Sequence, residues 1–270
     1  SFLLVHVMEP HADYDPGEAF KGTFVKDLPG TLPYPLGEEL HVGWMVGMDR
    51  QGQRMAPTPE EQELVRAMYH EEVLATDDAL GVLLDALKAR PGWDETVVVI
   101  TADHGEELWD YGRYEHGHTL LEPVTHIPLI VKAPGIEPAR NDSVVGQREV
   151  WELLTSPGTG ELAELAKQGT QPGRTQCHQG IIYGPQQAGL VTDDHHLVVQ
   201  LEPELRYYLF ELDAQDREIV PPTEVEASHP LVQQLVACRG DLEITHPVDP
   251  QPIHDSETFQ QLRSMGYIDE

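Results

Sequence analysis

The sequence predicts an α/β protein: a mostly parallel sheet between helix layers, followed by a smaller antiparallel sheet with a helix. Three observations predict it. The run Val97-Val-Val-Ile100 is apolar and β-branched with no polar alternation, the pattern of a strand buried on both faces. A long amphipathic helix pattern precedes that strand, which is the α/β rhythm. After residue 180 several short apolar runs follow one another closely, separated by turns, as in an antiparallel sheet of four.

Taken in order, Phe2 to Val7 reads as an apolar strand. Pro10 and Pro16 then stop regular structure, so His11, Asp13 and Asp15 fall on a loop just past a strand end. Residues 17 to 58 are rich in Gly and Pro and read as a long irregular loop with short helices, crossing the surface near the site. Thr58 is a good N-cap, Pro59 suits the first helical position, and Glu60 and Glu61 suit the helix dipole. The helix continues through Leu64, Met68, Leu80, Leu84 and Leu87, with a break expected near Ala75 to Asp78 and a stop at Pro91-Gly92.

The strand Thr96 to Thr101 follows and ends in Asp103, His104 and Gly105. Ligands gather at the carboxyl ends of strands in open α/β sheets. A carboxylate beside an imidazole there offers two metal-compatible ligands, with the Gly letting the backbone turn away. His116 and His118 lie two apart on the next loop, a spacing that puts both on one side of an extended segment. A short helix or turn at Leu120 to Thr125 leads to a strand over His126 to Lys132. Helices are expected at Val144 to Leu154 and Leu162 to Lys167, split by Ser156-Pro-Gly-Thr-Gly160. The four later strands are read at Gly180–Gly184, Gly189–Asp194, His196–Leu201 and Tyr207–Leu212, covered by helices at Pro221–Arg239 and Ser256–Gly266. These elements divide the chain into a core at 1–170 and a subdomain at 171–270.

The charge balance is extreme: 47 acidic against 17 basic residues, formally −30. Such a surface repels nucleic acid and anionic membranes, so neither is a primary partner. An anionic substrate would need a local metal or a His/Arg cluster to overcome the field. No run of about 18 apolar residues encodes a membrane span. Cys177 and Cys238 sit far apart and outside any metal-type spacing, which allows one disulfide or none. The chain opens mid-pattern at Ser1-Phe-Leu-Leu-Val-His6, without Met or a signal peptide, and reads as a piece of a longer protein.

Five stretches together resemble the sulfatases of the alkaline-phosphatase superfamily. Phe2 to Pro16 resembles their segment carrying a substrate-binding His, and Val97 to Leu108 their second metal-binding strand. Glu115-His-Gly-His-Thr-Leu-Leu-Glu122, followed by Ile127-Pro-Leu-Ile-Val-Lys-Ala-Pro-Gly135, resembles the stretch supplying a Lys or His to the sulfate. Tyr208 to Glu218 and Leu262-Arg-Ser-Met-Gly-Tyr267 resemble their later signatures. The matches occur in family order and span nearly the whole chain.

The resemblance implies an alkaline-phosphatase-like fold and a hydrolase acting on a small-molecule or carbohydrate sulfate ester. It implies one divalent cation, calcium first, with Asp103 and His104 on ligand positions. His104 replaces the amide common in calcium sulfatases, and an imidazole is a softer ligand that admits manganese or zinc. His11 falls on a substrate-contact position. His116 falls on the sulfate or leaving-group position, with His118 as its rival. The family's nucleophile, a formylglycine from Cys/Ser-x-Pro-x-Arg, has no counterpart here, since Cys177 sits in Thr-Gln-Cys-His-Gln-Gly. The nucleophile and the first metal aspartates are therefore expected upstream, the fragment alone is expected to be inactive, and a periplasmic or extracellular setting is implied. Alternatives are a phosphodiesterase or phosphonate monoester hydrolase of the same superfamily, or a non-catalytic homologue. Oligomeric state is not encoded in these patterns.

Overall fold

A computed structural model describes residues 2–140, 144–155, 175–182, 184–215 and 217–239. The expected helices at Leu162–Lys167 and Ser256–Gly266, the Leu262–Tyr267 motif and the boundary near residue 170 lie outside the described residues.

Two helices frame the first half. Helix α1 spans Glu38–Val46 and ends on Gly47 at φ 73°, the left-handed residue that commonly closes a helix. Helix α2 spans Pro59–Lys88, about 45 Å at 1.5 Å per residue. Its start is a capping box: Glu61 N donates to Thr58 Oγ1 (3.2 Å) and Thr58 N to Glu61 Oε2 (2.7 Å). The expected break at Ala75–Asp78 does not occur. None of those residues is Pro or Gly, and intact i→i−4 bonding carries the helix through.

Tyr14, Leu36, Trp44, Val65, Met68 and Tyr114 form the first core between these helices and the loops. Glu71 of α2 is fully buried and holds the 17–58 loop. It accepts from Phe24 N (2.7 Å), Val25 N (3.2 Å), Gly22 N (3.2 Å) and Tyr34 Oη (2.7 Å). The loop contains a single 3-10 turn, Val25–Asp27, before α1, as expected of a long irregular segment with short helices.

Strand β1, Val98–Thr101, is followed by the short pair β2 (Glu107–Leu108) and β3 (Tyr114–Glu115), helix α3 (Glu122–Thr125) and strand β4 (Leu129–Lys132). β1 pairs with β4 antiparallel, Val98 opposite Lys132 and Thr101 opposite Leu129. No parallel ladder is present among the described residues, and β1 is half-buried rather than enclosed on both faces. A β-branched run predicts a strand but not the direction of its partner. Phe2–Val7 is exposed, with Leu4 at 73%, and forms no ladder among the described residues. Apolar pattern alone does not make a strand; a neighbouring backbone must take its hydrogen bonds.

Helix α4, Gln147–Thr155, leads to the C-terminal sheet: β5 (Gln176–Gln179), β6 (Gln187–Val191), β7 (His195–Gln200), β8 (Arg206–Leu212) and β9 (Glu218–Glu224), then helix α5 (Pro230–Arg239). The five strands pair antiparallel in sequence order. Four were expected. The run at Gly180 proves to be the turn after β5, with Gly180 at φ 115°. The helix expected from Pro221 starts at Pro230, because Pro221 and Pro222 lie in edge strand β9, where a missing ladder donor is tolerated. Ala188, Leu190, Leu197, Val199, Val232 and Leu235 form its core against α5. Cys177 and Cys238 are bonded and tie α5 to β5.

Candidate active site

The tip of β1 is held from two sides. Gln147 Nε2 donates to the carbonyls of Ala102 and Asp103, both at 2.7 Å. Gly105 N donates to Val124 O of α3 at 2.8 Å. A Cβ on Gly105 would lie 2.0 Å from Pro123 O. Close approach to α3, rather than a sharp turn, is what requires glycine here.

Asp103 and His104 project from this tip. Asp103 is 67% exposed at its side chain, and its Oδ1 accepts from His104 N at 3.0 Å. The Gly105 carbonyl can only accept, so His104 Nδ1 donates to it at 2.9 Å. That fixes the tautomer and leaves the Nε2 lone pair, 3.8 Å from Asp103 Oδ2. An imidazole oriented by a carbonyl behind it, beside a free carboxylate oxygen, is the donor set a divalent cation takes. The two residues therefore fit the implied cation. Among the described residues no group of three or more His, Cys, Asp or Glu is arranged to hold a metal, so this is a partial ligand set.

His116 stacks on His104 with ring centroids 4.1 Å apart, and His11 meets His116 edge-on at 5.2 Å. Three of the predicted residues thus converge beside Asp103. His118 is half-buried one residue beyond Gly117, whose φ of 82° bends the segment. The extended geometry that would put His116 and His118 on one side is not adopted.

Sequence reasoning missed the layer beneath. His116 Nδ1 lies 3.2 Å from Glu106 Oε1, and His41 Nε2 lies 2.9 Å from Glu115 Oε1, with Asp13 Oδ1 at 3.7 Å from His41 Nδ1. Glu115 occupies the left-handed region at φ 70°, a strain that concentrates at functional sites. Burial pushes Glu106 up to about 8, helped by the charge on Glu115. Burial opposes the charge on Glu115 too, but the bond and charge of His41, with His116 and His11, outweigh it and hold Glu115 below the usual carboxylate range. Burial also opposes charge on His41, and there Glu115 outweighs it and raises the imidazole. Burial lowers His116, with Glu115 and Asp103 pulling the other way. Glu106 had one sequence signal, its place directly after the Asp-His-Gly tip. His41 had none.

Lys132, in one of the family-like stretches, serves the opposite end of the β1–β4 pair. Its Nζ donates to Trp93 O (2.6 Å), Thr96 O (2.8 Å) and Asp94 O (3.1 Å), closing the turn before β1.

A family profile described as Sulfatase matches residues 1–152. Arylsulfatase K of Danio rerio is 31% identical over 80 residues, 30% of this chain and 15% of the relative. Arylsulfatase K of Homo sapiens is 30% identical over 80 residues, with the same two shares. The matched region is thus a small part of those relatives' length. Among solved structures, BT4656, determined with its substrate D-glucosamine-2-N,6-O-disulfate, aligns at TM-score 0.55 and 16% identity over 90% of this chain and 66% of its own. The protein yidJ of Bacteroides fragilis, assigned to the sulfatases, aligns at 0.59 and 17% over 86% and 53%. These likenesses establish the fold.

Proposed function

The chain belongs to the sulfatase family, and from that premise we propose that it supplies half of a metal-assisted sulfate-ester hydrolase site. The observation that carries the reading is the convergence of His11, His104 and His116 beside Asp103 at one strand tip. In a chain of formal charge −30, such a histidine cluster is where an anionic ester can be held.

Asp103 and His104 would hold the divalent cation: calcium by family, manganese or zinc by the imidazole. When bound, that ion polarises a sulfate oxygen as a Lewis acid. His11 and His116 contact the sulfate and the leaving oxygen, His118 lying next along the loop. Glu106 fixes the His116 ring through Nδ1 and leaves Nε2 as the nitrogen turned to substrate. His41 and Glu115 form the buried ion pair on which this layer rests. The nucleophile is the formylglycine that the family resemblance implies, and no residue described here takes that role. A small-molecule or carbohydrate sulfate ester is the substrate class, and residues 171–270 act as a subdomain shaping the site. The Cys177–Cys238 bond supports an oxidising, periplasmic or extracellular setting. No helix among the described residues is long and apolar enough to cross a membrane.

The test is Asp103→Ala with His104→Ala in the full-length enzyme, read by bound Mn2+ or Ca2+ and by turnover of an aryl sulfate. We expect metal affinity to fall about 100-fold or more, with turnover lost. Unchanged metal content in a folded double variant would sink the assignment. The imidazole at residue 104 keeps phosphonate or phosphodiester hydrolysis as the second reading; faster turnover of a phosphonate monoester than of the sulfate would select it.

A further inference from the structure

The C-terminal sheet grips the candidate site at three places. Ile182 N, just past β5, donates to Gly117 O at 2.9 Å. Gln187 Oε1 of β6 accepts from Leu120 N at 3.1 Å. Glu218 Oε1 of β9 accepts from Glu122 N, the first residue of α3, at 2.8 Å. The second half of the His116–His118 loop and the start of α3 are thus bonded to strands far away in sequence.

Of these, the Glu218 contact reaches furthest. Its side chain is fully buried, and His196 Nδ1 lies 2.6 Å from the same oxygen. His196 Nε2 in turn meets His178 Nε2 at 2.9 Å, so β5, β7 and β9 share one buried polar chain. Space for it is built in: a Cβ on Gly189 would fall 2.1 Å from His178 Nε2. Tyr111 Oη adds a bond to the Glu218 carbonyl at 3.2 Å. From Glu122 the path is short. Helix α3 has four residues, and Val124 O at its far end takes Gly105 N, directly after His104. Burial holds Glu218 near neutrality, up to about 7, and lowers His196 to about 4 and His178 to about 3. The two histidines are therefore uncharged at neutral pH, and hydrogen bonds rather than an ion pair join the chain.

We propose that Glu218 is a positioning residue: from the C-terminal sheet it fixes the start of α3, and through α3 it fixes the Asp103–His104 tip. The proposal rests on the functional reading of that tip given above. It assigns the C-terminal sheet a part in the site without any of its side chains touching Asp103 or His104 through a described bond.

The test uses the full chain, 15N-labelled, with Glu218→Gln and Glu218→Leu. The readouts are amide hydrogen exchange at Gly105 and the ring nitrogen shifts of His104, with the Leu197 amide as reference. Glu218→Leu should speed exchange at Gly105 about tenfold or more relative to Leu197, the scale of one lost buried hydrogen bond, and should shift the His104 ring signals. Glu218→Gln keeps an acceptor oxygen and should stay within about threefold of the parent. A folded Leu variant with unchanged Gly105 exchange overturns the proposal, and so does acceleration equal at Gly105 and Leu197. Where the Leu variant does not fold, Glu218→Asp, one methylene shorter, is read for the same outcomes. None of these readouts needs metal or turnover, so they separate this proposal from the sulfate-ester reading.

Discussion

The C-terminal sheet buries aliphatic side chains between strands that follow one another in sequence, and α5 closes over them. The region around Tyr14 and Trp44 takes its core from a loop, two helices and a two-residue strand pair, with His41 and Glu115 set against it. Neighbouring hairpins close short loops and bury apolar surface directly. The first core instead depends on a few side-chain bonds spanning long stretches of chain, such as Glu71 to Phe24. The first arrangement supplies stability, and the second holds titratable groups where water is scarce. The sheet has one polar chain of its own, His178–His196–Glu218.

That exception gives the largest expected effect. His178 and His196 are depressed by burial from 6.5 to about 3 and about 4, so the stability linked to their neutral forms is present above pH 6.5 and is lost as pH falls through those values. Glu218 is raised by burial from 4.5 to about 7, so its contribution is present below pH 4.5 and is lost as pH rises to 7. The two oppose each other between pH 4.5 and 6.5, and below 4.5 the histidine loss stands alone. The urea midpoint should therefore fall as pH drops from 6.5 to about 4, most steeply once Glu218 ceases to offset the loss below 4.5, and His196→Asn should flatten that limb. A limb of the same slope in the variant would break the assignment.

Next in size is the sheet's apolar core. Leu197, fully buried, should cost about 3 kcal/mol when changed to Ala, read by urea unfolding. The smallest effect tests the first region. Glu71→Ala leaves buried donors without their acceptor and should cost about 2 kcal/mol, concentrated in the loop over residues 17–34. Limited proteolysis should find that loop opened while the sheet stays protected. Cutting spread evenly over both regions would erase the distinction drawn between them.

Local chemistry made some of this visible in sequence. Thr58, Pro59 and Glu61 announced α2 because a capping box is written within four residues. β7 and β8 were visible because apolar runs and turns set them. β5 was not, since Gln176-Cys-His-Gln179 carries little apolar signal and becomes a strand by pairing with β6. β9 hid behind Pro221 and Pro222, which read as a helix start until edge pairing with β8 is known. Of the candidate site, Asp103 and His104 were visible as polar residues at a strand end, and His11 and His116 as histidines on loops. His41 comes from α1, and no local pattern says that its ring will meet Glu115. The partners of a buried charge are set by tertiary packing and leave little trace in the neighbouring residues.

Glu71 recognises main chain. Three of its four bonds come from backbone N–H groups, and the fourth from the Tyr34 hydroxyl. The side-chain identities of Phe24 and Val25 are thus uncoupled from the bonds that hold the loop in place, while Gly22, at φ 78°, is kept to glycine by its backbone. A segment anchored in this way can change its outward chemistry by substitution while its path is kept. It is the kind of frame on which selection, natural or in a library, can diversify a surface without first re-inventing the fold.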